Sequence, residues 1–279
     1  MKRDAVLDEI RRLDPVTDHQ RIAFLTSLHE FPWDTTRSLE LALFRAFAVA
    51  KGTTLLAGTG EFTQRTQKRY DDTVLILAEI LEHGYDSERG KAALRRMNQM
   101  HGRHPIPNDE FLYVLSTFVF EPIRWNERFG WRPLHQNEKL ASFHFWREIA
   151  RRMAIQDLPQ DYASFERYYH DFALQHYQFA PENRALAVAT RDLLLGWYLP
   201  KRLWPLGRPF VHAMLDDQLL AAVGLPRPHP AIRRITEGAV RLRSRIVRRL
   251  PPRRKPRLIT RQRHPTYPNG YTIEELGVR

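Results

Sequence analysis

One stretch constrains the fold more than any other, because residues 88 to 125 predict a helix that must lie inside the molecule. Between Phe111 and Val119 the chain is apolar almost all round a helix, which is typical of a helix enclosed by other elements. Asn108 or Asp109 is expected to cap its start. No segment alternates convincingly between apolar and polar residues with period two, and no β-hairpin dipeptide separates two apolar runs. The sequence therefore predicts an all-α fold, a single multi-helix domain.

A second predicted helix, from Glu88 to His101, ends close to the start of the buried one. Its apolar residues recur at offsets of three, four and seven, so one face carries Ala93, Leu94, Met97 and Met100. His101 lies on this face at the last turn, and Gly102 ends the helix. Such a histidine could bind a cofactor held between the helices, or it could be a core histidine bonded to a backbone carbonyl. For a lone histidine the second role is the more frequent one.

A third helix is predicted from Thr63 to His83, and it places a cation on the inward side. Arg69, Thr73, Ile76 and Ile80 line up at offsets of four, seven and eleven. Burying an arginine without a partner costs several kcal/mol, so Arg69 should meet an anion, either a protein carboxylate or a ligand. An alternative is that Arg69 extends outwards along the helix to reach solvent.

The absence of cysteine limits the metal chemistry of the chain. It excludes disulfides, iron–sulfur clusters, thiolate-ligated or covalently attached haem and zinc–cysteine sites, so any metal must be held by His, carboxylate or Tyr. Neither an HExxH motif nor the paired Glu-x-x-His motifs of a di-iron bundle occur. Residues 1–20 have no continuous apolar stretch, which predicts neither a signal peptide nor a membrane anchor and favours a cytoplasmic location.

The net charge of +12 is concentrated near the C-terminal end of the chain. Residues 227 to 263 hold thirteen Arg and one Lys against the single acid Glu237, so the remainder is nearly neutral. From Ile232 to Leu250 an apolar stripe surrounded by arginines predicts a basic amphipathic helix. It could lie on an anionic membrane surface, bind nucleic acid, or pack on the body with its arginines solvated.

The sequence divides into three expected parts. They are an N-terminal helical segment (1–35), a main helical domain (36–250) and an extended C-terminal tail wrapped on the domain (251–279). Within the domain, residues 121–133 (EPIRWNERFGWRP), which are rich in Trp and Arg and end at Pro133, are expected to form a turn region. Residues 209–223 are expected to form one helix.

Five motifs together resemble one known family. They are KRYDDT (68–73), HG (83–84), RMNQMHGRHPIPNDEFLYVL (96–115), EPIRWNERFGWR (121–132) and FHFWREIARRMAIQDLP (143–159). In order and pattern, over roughly residues 36 to 250, they resemble the rubber-oxygenase (latex-clearing protein) and mycophenolic-acid-pathway oxygenase family. In that family an all-helical domain holds a non-covalent b-type haem. A histidine is its proximal iron ligand, and an Arg-x-x-x-Thr pair lies in the haem pocket.

The resemblance implies roles for residues that the periodicity had already singled out. The proximal iron ligand falls on His101, with His104 as a rival, and the Arg–Thr pair falls on Arg69 and Thr73. Met97 would contact the haem. The latex-clearing enzyme has a lysine directly before the threonine, whereas this chain has Asp72, so the distal iron ligand stays open.

The expected catalytic set is Arg69, Asp72 and Thr73, with Glu61 as a second candidate for a carboxylate base. The leading hypothesis is a haem b-dependent oxygenase that acts with O2 on a small hydrophobic, olefinic or prenyl-like substrate. The alternative is a non-enzymatic helical protein that binds nucleic acid or an anionic membrane through its Arg-rich helix. For the oxygenase we expect contact with a membrane surface rather than with nucleic acid. The sequence does not indicate the oligomeric state.

Overall fold

The structure, a computed structural model, describes residues 3–278 except for the side chain of residue 51. These residues form α-helices and no strand, and the all-α prediction is confirmed. In chain order the helices are α1 (Ala5–Arg12), α2 (His19–Phe24), α3 (Pro32–Ala46), α4 (Ala50–Gly58), α5 (Glu61–Gln64), α6 (Thr66–His83), α7 (Glu88–His101), α8 (Asn108–Phe129), α9 (Gln136–Arg152), α10 (Tyr162–His176), α11 (Pro181–Gly196), α12 (Trp204–His212), α13 (Asp217–Ala222) and α14 (Pro230–Arg249). A π-helical segment follows α2 at Leu25–Glu30, and short 3-10 turns lie at Lys201–Leu203 and Ile273–Glu275.

Helix α8 is the central element, and α3, α9, α10 and α14 pack around it. The expected turn at residues 121–133 was wrong, because α8 continues through Pro122 as far as Phe129. A proline inside a helix costs about 3 kcal/mol. Burial of Ile123, Trp125 and Phe129 on the continuing helical face offsets this cost, since each is at most 5% exposed.

The rest of the core is built from three further groups of apolar side chains. Helices α3, α11 and α13 share one, α6, α7 and α9 share another, and α1 and α2 pack on α9. The predicted helix at 209–223 is instead two helices, α12 and α13, separated at Ala213–Asp216, where Asp216 caps α13 by accepting from Leu219 N. No helix within residues 3–278 has the length and apolar character needed to cross a membrane.

The C-terminal tail, residues 251–278, is extended and lies along α6 and α7. Carboxylates on the outward side of α6 accept its hydrogen bonds; they are Asp71, Asp72, Glu79 and Glu82. Arg96 on α7 donates to the carbonyl of Leu276 at 2.7 Å. The Leu276 side chain is fully buried in the same apolar cluster as Met97. The tail is therefore part of the packing behind α6 and α7.

Candidate active site

A large apolar cavity of about 320 Å³ is lined by residues of helices α3 to α9. Its volume is within the range of small-molecule sites, which are mostly apolar with a few placed polar groups. The wall is formed mainly by Leu, Ile, Val, Phe and Met side chains, and the polar or charged groups on it are few. Of the residues expected from the sequence to form the site, Arg69, Thr73, Met97 and His101 all lie on this wall. The structure thus brings together residues from two separate helices, α6 and α7.

His101 is positioned by the end of α7. Ser87 caps the start of this helix by accepting from Gly90 N, and the helix runs to His101 as predicted. The imidazole packs edge-on against the Phe111 ring, with 5.2 Å between ring centroids. Its Nδ1 atom is buried and has no hydrogen-bond partner within residues 3–278. The carbonyl bond expected of an ordinary core histidine is therefore absent at this nitrogen.

Burial, together with the positive charge of Arg69 and the neighbouring His104, lowers the pKa of His101 from 6.5 to about 4, and burial is the largest of these causes. The imidazole is consequently neutral at pH 7, which is the form that binds a metal ion. His104, the rival ligand, is exposed on the loop after α7 and does not line the cavity. Of the two histidines, only His101 faces the site.

Arg69 and Thr73 form a pair on the α6 side of the cavity. The Arg69 guanidinium donates to the Thr73 hydroxyl, which itself donates to the carbonyl of Arg69 at 2.8 Å. The guanidinium also lies 5.0 Å from the centre of the Phe62 ring. In the part of the chain that the structure describes, no carboxylate comes within 4.0 Å of the Arg69 guanidinium. Burial lowers the pKa of Arg69 below its usual value, although Asp72 and Glu61 act in the opposite direction.

The cavity wall also carries methionine and aromatic side chains. Met97 and Met100 lie on α7, and Phe118 on α8 stacks on Trp146 of α9 with centroids 4.7 Å apart. Methionine and aromatic side chains adapt to flat or irregular apolar ligands. This surface can contact a flat apolar group extensively.

Asp72 does not reach the cavity, contrary to its expected place in the catalytic set. It lies one residue before Thr73, so its side chain is rotated about 100° round the helix to the outward side. There it accepts from Lys68 at 2.7 Å and from the Tyr267 hydroxyl at 2.5 Å. Glu61, the second carboxylate candidate, pairs with Arg65 and is also absent from the cavity wall.

Two polar residues on the wall were not identified from the sequence. Glu110 and Tyr113 lie on the first turns of α8 and both line the cavity. Glu110 lies against the backbone of Gly52, where an added Cβ would come within 2.2 Å of its carboxylate oxygen. The Tyr113 hydroxyl is 2.5 Å from that of Tyr177. A tyrosine within the largely apolar run from Phe111 to Val119, and an acid directly before this run, were the available signal.

The donor atoms on the cavity wall indicate whether the site can hold a bare metal ion or a larger cofactor. Within residues 3–278, no three His, Asp or Glu side chains cluster as they would around a bare metal ion. The described wall has one imidazole, one guanidinium, the Glu110 carboxylate, the hydroxyls of Thr73 and Tyr113, and a broad apolar surface. This set suits a cofactor that brings most of its own metal ligands and has both an apolar body and anionic groups.

The chain is similar to several known oxygenases. The model of the family "ER-bound oxygenase mpaB/B'/Rubber oxygenase, catalytic domain" matches residues 33–248. ER-bound oxygenase mpaB' of Penicillium brevicompactum is 29% identical over 243 residues, which are 81% of this chain and 57% of that protein. ER-bound oxygenase mpaB of Penicillium roqueforti is 29% identical over 216 residues, 71% of this chain and 72% of that protein.

The fold also resembles a solved structure, that of latex clearing protein in the closed state. The TM-score is 0.56 with 13% sequence identity, and the match covers 88% of this chain and 72% of that one. This likeness concerns the fold alone. The chain spans little more than half the length of the mpaB' relative from Penicillium brevicompactum.

Proposed function

Because this chain belongs to the family of mpaB-type ER-bound oxygenases and rubber oxygenases, whose catalytic-domain model matches residues 33–248, we propose that it is a haem b-dependent oxygenase. Its proposed substrates are O2 and a small hydrophobic molecule with an olefinic or prenyl-like chain. The proposed reaction adds both oxygen atoms of O2 to a carbon–carbon double bond and cleaves that bond. Two carbonyl groups result, so the atoms balance without a further reductant.

One observation carries the proposal: a neutral imidazole with an unpartnered Nδ1 lies on the wall of a large apolar cavity. Leaving a buried ring nitrogen without a hydrogen bond costs about 1–3 kcal/mol. The nucleic-acid alternative gains no support from the family match.

The residues present fit haem b in three respects. His101 would ligate the iron, since it is the histidine of the wall and burial keeps it neutral. Arg69 would pair with a propionate, because no carboxylate of residues 3–278 lies within ion-pair distance. Met97, Met100 and Phe118 would contact the apolar macrocycle. When bound, haem b supplies the redox chemistry of iron with dioxygen.

The protein side chains have their own tasks in this proposal. The apolar wall excludes water and binds a hydrocarbon chain by burial of its surface. Thr73 holds the Arg69 guanidinium in place through their mutual hydrogen bonds. Glu110 and Tyr113 are the polar groups at the α8 side, where they can orient an oxygen-bearing end of a substrate or product.

An absorption spectrum tests the cofactor. Protein expressed with an adequate haem supply should show a Soret band, and extraction should release non-covalent haem b at about one equivalent per chain. A colourless protein under every expression condition would refute the proposal.

A matched pair of hydrocarbons tests the substrate class. Haem-loaded protein should consume O2 with squalene and form carbonyl products, but it should do neither with squalane, which has the same carbon skeleton without double bonds. Uptake of labelled oxygen into both product carbonyls would support cleavage by one O2. Equal O2 consumption with the two hydrocarbons would exclude an olefin-directed reaction.

A further inference from the structure

Helix α14 presents its apolar stripe to solvent. Ile235, Leu242 and Ile246 are spaced seven and four residues apart, so they lie on one side of the helix. They are 61%, 55% and 52% exposed, and Leu250 just beyond the helix is also exposed. The buried residue of α14 is Ser244, nine positions after Ile235 and therefore on the opposite side. In most globular proteins the apolar side of such a helix faces the core.

Polar contacts hold α14 on the body in this orientation. The Ser244 hydroxyl donates to the carbonyl of Phe129 at the end of α8. Arg243 donates to both carboxylate oxygens of Asp34, at 2.8 and 2.9 Å. Arg233 pairs with Asp217 at 2.7 Å. These contacts hold the polar side of α14 against the body. The apolar side therefore cannot turn towards the core unless the contacts break.

Arginines flank the exposed stripe. Arg234, Arg245, Arg248 and Arg249 are exposed, and none of them forms an ion pair with a described residue. The exposed run Arg253–Lys255 follows directly. The surface of α14 is therefore an apolar strip beside a band of unneutralised positive charge.

Helix α12, which packs against α14, also has exposed apolar side chains. Leu206 and Phe210 of α12 are 70% and 44% exposed, and Leu203 in the preceding turn lies on the same side. Large aliphatic and aromatic side chains scattered singly on a surface need no explanation, but a group on two adjacent helices marks an interaction site.

We propose that α14, together with α12, docks flat on the surface of an anionic lipid bilayer. The apolar strip would enter the boundary between headgroups and acyl chains, and the flanking arginines would bind the acidic headgroups. A second copy of the chain is disfavoured, because an α14–α14 contact would bring two arginine bands together. Nucleic acid is disfavoured because its binding sites rely on phosphate contacts and give no role to a strip of Ile and Leu.

Vesicle co-sedimentation tests this proposal directly. The full chain should bind vesicles of phosphatidylcholine with phosphatidylserine much more tightly than vesicles of phosphatidylcholine alone, and added salt should weaken the binding. Joint change of Arg245→Gln, Arg248→Gln and Arg249→Gln should lower the partition coefficient on the order of a hundredfold. Leu242→Gln with Ile246→Gln should lower it at least about tenfold. Leu174→Gln on α10, which is 71% exposed, is the matched control and should bind like the parent.

Because the chain lacks cysteine, a single introduced cysteine can report insertion. The emission of a polarity-sensitive dye at Leu242→Cys should shift to the blue on anionic vesicles, whereas the emission of the same dye at Leu174→Cys should not.

Several outcomes would overturn the proposal: equal binding to both vesicle types, parent-like binding by both α14 variants, or unshifted emission of the dye at position 242. A parent dimer that the Leu242→Gln and Ile246→Gln changes convert to a monomer would instead assign the strip to a second copy. Haem content is a separate readout and should be the same in all these variants.

Discussion

The Arg69 guanidinium donates a hydrogen bond to the Thr73 hydroxyl one turn further along α6, and both side chains face the cavity that holds His101. Thr73 is a neutral partner, so it fixes the position of the guanidinium without cancelling its charge. The charge is thus available to an anion that enters the cavity.

This relationship predicts different effects for the two residues. Arg69→Ala should weaken haem binding by about 2 kcal/mol, roughly thirtyfold, because a charge-assisted hydrogen bond is lost. Thr73→Val keeps the shape and should leave haem content high while changing the spectrum or the activity. Haem extraction and titration measure both. Arg65→Ala, which removes an exposed arginine of the same region, is the control. Parent-like haem affinity in Arg69→Ala would remove this residue from the site.

His101→Ala should lose haem or lose the parent Soret band, because the described wall offers no other imidazole. Added imidazole should partly restore binding, since it replaces the ligand and nothing else. His104→Ala and His144→Ala are the matched controls, and both should keep the parent spectrum because neither residue lines the cavity. An unchanged spectrum in His101→Ala would contradict the assignment of the iron ligand.

The pKa of His101 also predicts how the stability of the haem-free protein depends on pH. The folded-state pKa of about 4 lies below the unfolded value of 6.5, so the unfolded chain takes up the proton first as pH falls. The stabilisation is therefore fully present above 6.5 and is lost as pH falls towards 4. Between pH 7 and pH 5 the parent should lose about 2 kcal/mol more than His101→Asn in urea unfolding. Parallel profiles of unfolding free energy against pH for the two proteins would show that the pKa of His101 is not lowered in the folded state.

Asp72→Asn should act on stability rather than on the chemistry of the cavity. The carboxylate is 3% exposed and accepts from Lys68 and Tyr267, so its loss should cost about 2–3 kcal/mol and loosen the tail. Activity per bound haem should stay near the parent value. Asp86→Asn removes an exposed carboxylate that pairs with Arg152 and should change stability by less than about 0.5 kcal/mol. A large fall in turnover with unchanged stability would return Asp72 to the catalytic set.

Gly277 and Gly270 offer a matched pair of substitutions in the tail. Both have positive φ, +81° and +98°, so alanine strains the backbone at either position. A Cβ at Gly277 would lie 1.8 Å from Met100 Sδ, whereas a Cβ at Gly270 would meet nothing within 4 Å. Gly277→Ala should therefore lower the melting temperature further than Gly270→Ala and should shift the haem spectrum, because Met100 lines the cavity. Identical behaviour of the two variants would mean that Met100 moves aside at no cost.

Periodicity identified the parts of the site that lie on helix faces. The offsets along α6 and α7 placed Arg69, Thr73 and His101 on inward sides, and all three line the cavity. Asp72 was included in the catalytic set as a neighbour of Thr73 and not because of the periodicity, which turns its side chain about 100° away from that of Thr73. Its partner in the tail, Tyr267, is 195 residues away.

Two other features depended on long-range packing that a local pattern does not contain. Helix α8 passes through Pro122 because the burial of Trp125 and Phe129 outweighs the local cost. The amphipathic pattern of α14 was visible, but its orientation was not. Which side faces outwards is decided by Asp34 and by the carbonyl of Phe129, both far away in the sequence.

Helix α6 separates the cavity from the tail by a single helical layer. Arg69 and Thr73 project to one side of it, and Asp71, Asp72, Glu79 and Glu82 bind the tail on the other. Directed evolution of substrate range need not be restricted to the cavity wall, because a side chain at the tail position Gly277 would press on Met100, which lines the cavity. A mutant library built only from residues near the ligand would leave out this second route to new selectivity.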